Sequence, residues 1–262
     1  MTKRGLGLAT GALLVIAGTQ ISHSADLGVR PAPAPIVAGC PSGPFSGFWV
    51  GGNVDWAYYR ADRTDQDGFT VGPGFGTPGT VSSTKSSVAG GVGAGWDWQC
   101  HNRVFGVIAD WSDTSAKAST QIAPNVLGVT DLGAHSTLNW YGTLRTRGGL
   151  TIDDILIYLT GGVAYANIDT TWNQFSGPPG APVFNNSFSF SNTPWGFVVG
   201  VGTETMLWNR WSLKSEVLYM QFQEKSFSGT GVVPAGIQPP GTFSFKNDDS
   251  VWVSRLALNY RF

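Results

Sequence analysis

Charge, histidine and cysteine are all scarce in this sequence. Asp, Glu, Lys and Arg make up 13% of its 262 residues, and 16 bases against 17 acids give a formal net charge of -1. No basic footprint for nucleic acid results, so no nucleic-acid partner is expected. No later run approaches the roughly 20 continuous apolar residues of a membrane-spanning helix. Mean hydropathy is -0.01, far too polar for a helical membrane protein. Yet the low charge comes with 13% aromatic residues, including 11 Trp, and this combination excludes a disordered chain. Glycine is abundant, at 36 residues. A transmembrane barrel reconciles these figures, because half of each strand faces a polar lumen.

The N-terminus reads as a secretion signal. Lys3 and Arg4 form its charged start, and Leu6 to Ala17 its short apolar run. Small residues at Ser22 and Ser24 place cleavage after residue 24, with Ala25 as the alternative site. Residues 25–44, rich in Pro and Ala, predict an extended periplasmic linker. Residues 45–262 remain for the folded domain.

From Phe45 onward the chain alternates with a period of two, the signature of strands between unlike environments. In the first strand Phe48, Val50, Val54, Trp56 and Tyr58 oppose Trp49, Asn53 and Asp55. Val92, Ala94, Trp96 and Trp98 then oppose Gly93, Gly95, Asp97 and Gln99. In the third strand Phe105, Val107 and Trp111 oppose Gly106, Ile108 and Asp110, with Ile108 a blemish. The last strand sets Trp252, Leu256, Leu258, Tyr260 and Phe262 against Val253, Arg255, Asn259 and Arg261. Eight such strands are predicted, with long loops at about 60–86, 116–134, 172–192 and 224–248. Short turns lie near 100–103, 151–154 and 208–210. Long loops at one end and short turns at the other are the asymmetry of a transmembrane barrel. The expected fold is all-β: an eight-stranded antiparallel up-and-down transmembrane β-barrel, both termini periplasmic. Lipocalins share the strand number but reverse inside and outside, so a soluble ligand carrier is the competing reading.

Short segments add a resemblance. Phe48-Trp49-Val50-Gly51-Gly52-Asn53, Trp140 to Arg147, Tyr158 to Tyr165, Trp211 to Glu216 and the terminal Tyr260-Arg261-Phe262 resemble the opacity-like outer-membrane β-barrel family. The Ala25-Asp26-Leu27 opening with its Pro-Ala run is similar to alphaproteobacterial members of the porin-family or immunogenic type. The resemblance implies an integral protein of the cell outer membrane, surrounded by lipid and lipopolysaccharide. It also implies that Tyr260 and Phe262 belong to the signal read by the outer-membrane assembly machinery.

On this reading the lumen collects five acids, Asp55, Asp97, Asp110, Glu204 and Glu216. Five bases face them, Arg145, Arg147, Lys214, Arg255 and Arg261. The lumen of an eight-stranded barrel is just wide enough for its side chains, so these charges must pair. A salt-bridged plug is expected, and a passive channel for small solutes lined by the same residues is the alternative. Cys40 and Cys100 both fall at the periplasmic rim, an oxidising place, and are candidates for a disulfide; two free thiols are the alternative. No metal-ligand spacing and no cofactor motif is present. His135 with Asp131 or Asp110 is the one candidate catalytic pair, and a solvated loop histidine explains it better. The expected function is therefore not enzymatic. It is structural, contributing to envelope integrity and offering four loops to extracellular ligands.

Overall fold

The computed structural model describes residues 40, 43–66, 79–123, 131–176, 184–230 and 242–262. The predicted signal and most of the linker lie outside the described residues. Ten strands follow one another: β1 (Gly47–Asp65), β2 (Gly79–Cys100), β3 (Arg103–Ala123), β4 (Asp131–Ile152), β5 (Ile155–Ser176), β6 (Phe184–Asn192), β7 (Trp195–Met206), β8 (Trp211–Phe222), β9 (Lys225–Thr230) and β10 (Thr242–Arg261). All pairings are antiparallel. They run β1-β2-β3-β4-β5-β7-β8-β10, and β10 pairs back to β1 from Trp49↔Arg261 to Asp65↔Phe245. The circuit of eight closes. β6 extends the wall beyond β7 by pairing with β5, and β9 extends β8 by pairing with β10. Pro194, which has no N–H to donate, sits in the break between β6 and β7.

The alternation read from the sequence sorts inside from outside. Val54, Leu159 and Leu256 point outward, 62%, 69% and 54% exposed. Aromatic residues rim this apolar belt: Trp56, Trp111, Trp195 and Trp252 toward the loop end, Trp96, Trp98, Phe105 and Phe262 toward the turn end. Exposure of so much apolar surface suits hydrocarbon, not water. The charges face inward, the reverse of a lipocalin, so the soluble-carrier alternative is overturned. Among the described residues no helix is long and apolar enough to cross a membrane; strands carry the belt.

Small residues leave room for large ones in the lumen. A Cβ on Gly95 would stand 2.6 Å from the Trp49 ring, and one on Gly202 2.6 Å from Tyr158. The three short turns each contain a residue with positive φ: His101 (55°), Asp153 (52°) and Asn209 (49°). Asn, Asp and His are the non-glycine residues that best tolerate this conformation.

Two expectations need correction. The predicted long loops are mostly strand, since β1 runs on to Asp65, β2 starts at Gly79 and β3 reaches Ala123. Beyond the belt the outer face turns polar while small residues such as Ala61, Ala116 and Ala118 stay buried inside, so the lipid-type alternation disappears although the strand continues. Ile108 is no blemish either. It is fully buried and fills lumen space. One feature left no trace in the alternation of β4. Pairing shifts between Leu138 and Trp140, so Asn139 is a bulge, and Leu138 and Tyr141 both face inward.

Candidate functional site: a charge network in the lumen

All ten predicted lumenal charges are buried, and the structure brings them together in two tiers. The tier nearer the turns holds two acids and two bases. Arg147 Nη1 lies 2.7 Å from Glu204, and its Nε donates to Asp97 at 2.8 Å. Arg261 binds the same two carboxylates, at 3.1 Å to Asp97 and 2.8 Å to Glu204. Ser212 donates a further hydrogen bond to Glu204 at 2.6 Å. β2, β4, β7 and β10 each supply one charge, so the tier ties strands from all round the ring.

The second tier holds three acids and three bases. Arg145 reaches Asp110 at 2.8 Å and Glu216 at 3.1 Å. Arg255 reaches Asp55 and Asp110, both at 2.8 Å. Lys214 lies 3.5 Å from Glu216. Tyr158 donates to Glu216 at 2.8 Å, Tyr141 donates to Asp55, and Thr143 donates to Asp110 at 2.7 Å. Each tier is neutral as a set. That neutrality makes burial of ten charges tolerable, because each carboxylate meets opposite charge or hydrogen-bond donors.

Trp49 and Tyr158 lie between the tiers. The Arg147 guanidinium stands 5.5 Å from the Trp49 ring centre, and the Lys214 ammonium 4.7 Å from it. The sequence placed the Trp49 ring on the lumenal face without assigning it to the network. Alternation along β1 and β5 was the available signal. A third ionic cluster lies farther up, where loops were expected. Arg63 pairs with Asp249 at 2.7 Å, and Tyr59 donates to Asp249 at 2.6 Å. Odd-numbered inward positions of β1, continued past Tyr59, would have found it.

Between the second tier and this cluster the lumen is apolar. Ala57, Val251, Val253, Leu138, Leu218 and Met220 belong to one buried cluster there. At the turn end, Phe45 closes the bottom. Its N–H donates to Gln99 at 2.9 Å, its carbonyl accepts from Arg261 at 2.6 Å, and its ring packs with Val104, Leu156 and Tyr158. Cys40 and Cys100 are joined by a disulfide in the structure, with Cα atoms 5.1 Å apart. Their sulfurs and His101 form the grouping of metal-ligand type among the described residues, but the bridge leaves no thiolate there to bind an ion.

The candidate catalytic pair does not assemble. His135 is exposed and its Nδ1 lies 3.0 Å from Ser119 Oγ. Asp110 is inside the lumen, held by Arg145 and Arg255. The side chain of Asp131 lies outside the described residues. Phe262 is 63% exposed and packs on Phe48 and Tyr260, ring centres 5.7 and 5.2 Å apart.

The chain as a whole is similar to known outer-membrane proteins. Over 248 residues the chain is 26% identical to the 31 kDa outer-membrane immunogenic protein of Brucella melitensis, covering 91% of this chain and 92% of that one. Over 187 residues it is 25% identical to the 22 kDa outer membrane protein of Rhizobium leguminosarum, covering 71% and 69%. Among solved structures, the outer membrane protease OmpT of Escherichia coli aligns with a TM-score of 0.45 and 8% identity over 83% of this chain and 97% of that one. The model of the outer membrane protein beta-barrel domain matches residues 12–262, and the chain belongs to that family.

Proposed function

We propose that this outer-membrane barrel is a sealed structural element of the envelope, with its loop end outward as a contact surface and both termini in the periplasm. The observation that carries the proposal is the filled lumen. Two neutral tiers of paired charges occupy the wall's interior, and an apolar layer lies above them. An ion crossing that layer would be stripped of water with no charged partner, which costs several kcal/mol or more. The same pairs join strands that are distant in sequence and hold them in register. No step in this role requires catalysis. Lipid and lipopolysaccharide surround the belt, and the exposed Phe262 is offered to the assembly machinery at the turn end.

Conductance of the purified, folded protein in planar bilayers tests the sealed reading. A silent membrane is expected. A stable, reproducible open level would replace it with the passive small-solute channel.

A further inference from the structure

Beyond the apolar belt the wall is not a tube. β2 and β3 pair from Cys100↔Arg103 only as far as Gly90↔Asp113. β7 and β8 pair only as far as Gly196↔Phe222. Past those points, among the described residues, no ladder joins β2 to β3 or β6 to β9. The two seams lie four staves apart on opposite sides of the ring. They divide the loop-end wall into two leaves, β9-β10-β1-β2 and β3-β4-β5-β6. Both begin at the height of the aromatic rim, next to Trp111 and Trp195. Open backbone edges are prohibitive in hydrocarbon and tolerable in water. The ladder is complete where lipid surrounds it and ends where water begins.

At the foot of one seam the Gln223 N–H donates to the Trp195 carbonyl at 2.6 Å. Above the seams' feet, among the described residues, the contacts between the leaves each involve a side chain. Trp172 stacks on Phe245 with ring centres 4.2 Å apart, and Phe190 on Phe227 at 4.7 Å. Arg63 donates to Ser136 at 2.7 Å, and Asn247 donates to Thr170 at 3.5 Å. Hydroxyls span one seam, with Ser87 and Thr114 oxygens 3.4 Å apart. Yet Trp172 Nε1 and Asn247 Oδ1 are buried between the leaves without a hydrogen-bond partner, on residues 0% and 2% exposed. A buried polar atom without a partner has lost its hydrogen bond to water and gained none in return. A closed state that leaves two of them unmatched is poised to accept a ligand that matches them.

We propose that the leaves part along these seams and take a neutral sugar ring between Trp172 and Phe245. Two flat aromatic faces suit the C–H faces of a pyranose. The indole N–H and the Asn247 carbonyl oxygen offer one donor and one acceptor to ring hydroxyls, with Thr170, Ser136 and Arg63 beside them. Arg63 and Asp249 neutralise each other, so the site favours an uncharged oligosaccharide over an anion. Opening the stack by about 3.5 Å admits one ring thickness. This inference extends the outward-facing contact role proposed above. It fails independently of the sealed lumen, because the site lies above the apolar layer.

The test is calorimetric titration of the folded full-length protein with maltohexaose, and separately with the O-polysaccharide released from lipopolysaccharide. The first arm reports a free glucan and the second a saccharide of the membrane's own surface. Binding in either arm is expected, weakened at least about tenfold by Trp172→Ala and by the milder Asn247→Ala. A disulfide across the seam in a Ser87→Cys/Thr114→Cys variant should abolish binding, and reductant should restore it. Gel mobility of the unheated protein verifies that each variant is folded. Absence of binding in both arms, or undiminished binding by the folded locked and Trp172→Ala variants, overturns the proposal.

Discussion

The guanidinium of Arg147 stands 4.9 Å from the centre of the Tyr158 ring, and the hydroxyl of that tyrosine donates to Glu216. Tyr158, like Trp49 between Arg147 and Lys214, thus links the two tiers of charge. Paired substitutions in the two tiers should therefore be non-additive through these rings.

Arg147→Ala leaves Asp97 and Glu204 buried with Arg261 as their remaining base. Breaking a buried pair in this way costs about 3–5 kcal/mol. Urea unfolding in detergent micelles should show that loss. Arg145→Ala is expected to cost less, since Arg255 still holds Asp110 and Lys214 still lies near Glu216. Equal losses for the two variants would contradict the tiered arrangement.

Glu216→Ala should lower the temperature at which the folded band disappears on unheated gels. It takes away one of the two carboxylates that hold Arg145, removes the carboxylate beside Lys214 and removes the acceptor of Tyr158. An unchanged transition temperature would refute the salt-bridged plug.

Leu159→Arg places a cation on the most exposed belt position of β5, 69% accessible. At the bilayer midplane this costs about 2–4 kcal/mol. Folding yield into lipid vesicles should fall, whereas Lys117→Ala, on the polar outer face beyond the belt, should leave it unchanged.

Cys40→Ser removes a bridge that spans 60 residues of sequence. Loop-closure entropy sets the loss at up to about 4 kcal/mol. Alkylation of the wild-type protein without reductant should add no mass. Labelling of both cysteines under those conditions would contradict the bridge.

Phe262→Ala should lower the amount of protein recovered in the outer membrane, while the purified variant refolds in detergent with the wild-type gel shift. That separation of cellular assembly from intrinsic folding distinguishes a recognition role from a packing role. Equal yields of both proteins in the membrane would argue for packing alone.

How much was legible depends on which solvent a strand faces. Where lipid lies outside, Val54 and Trp56 alternate with Asp55, and strand, face and charge partner classes were all readable. Past Tyr58 the outer face meets water and its hydropathy no longer contrasts with the lumen. Ala61 and Arg63 then look like loop residues, and the Arg63–Asp249 pair was missed for that reason, although the inward alternation of β1 runs on through both. The pairing of Arg147 with Glu204 was also hidden, since alternation assigns a face but not a height. Height follows from ladder register, and register depends on turn geometry at His101, Asp153 and Asn209 together with the bulge in β4.

That bulge has a consequence for how the chain tolerates insertions and deletions. Asn139 joins two halves of β4 whose odd and even positions have opposite meanings. Deleting it would leave a regular strand with Leu138 and Tyr141 two positions apart on one face, whereas pairing it as an ordinary strand residue would turn either Ser136 and Leu138 out of the lumen or Arg145 and Arg147 into lipid. A slip of the whole strand by one position would instead turn both halves over together, because a one-residue shift moves every side chain to the other face. The bulge therefore lets β4 carry one extra residue while Arg145 and Arg147 beyond it still face the lumen at their partners' level.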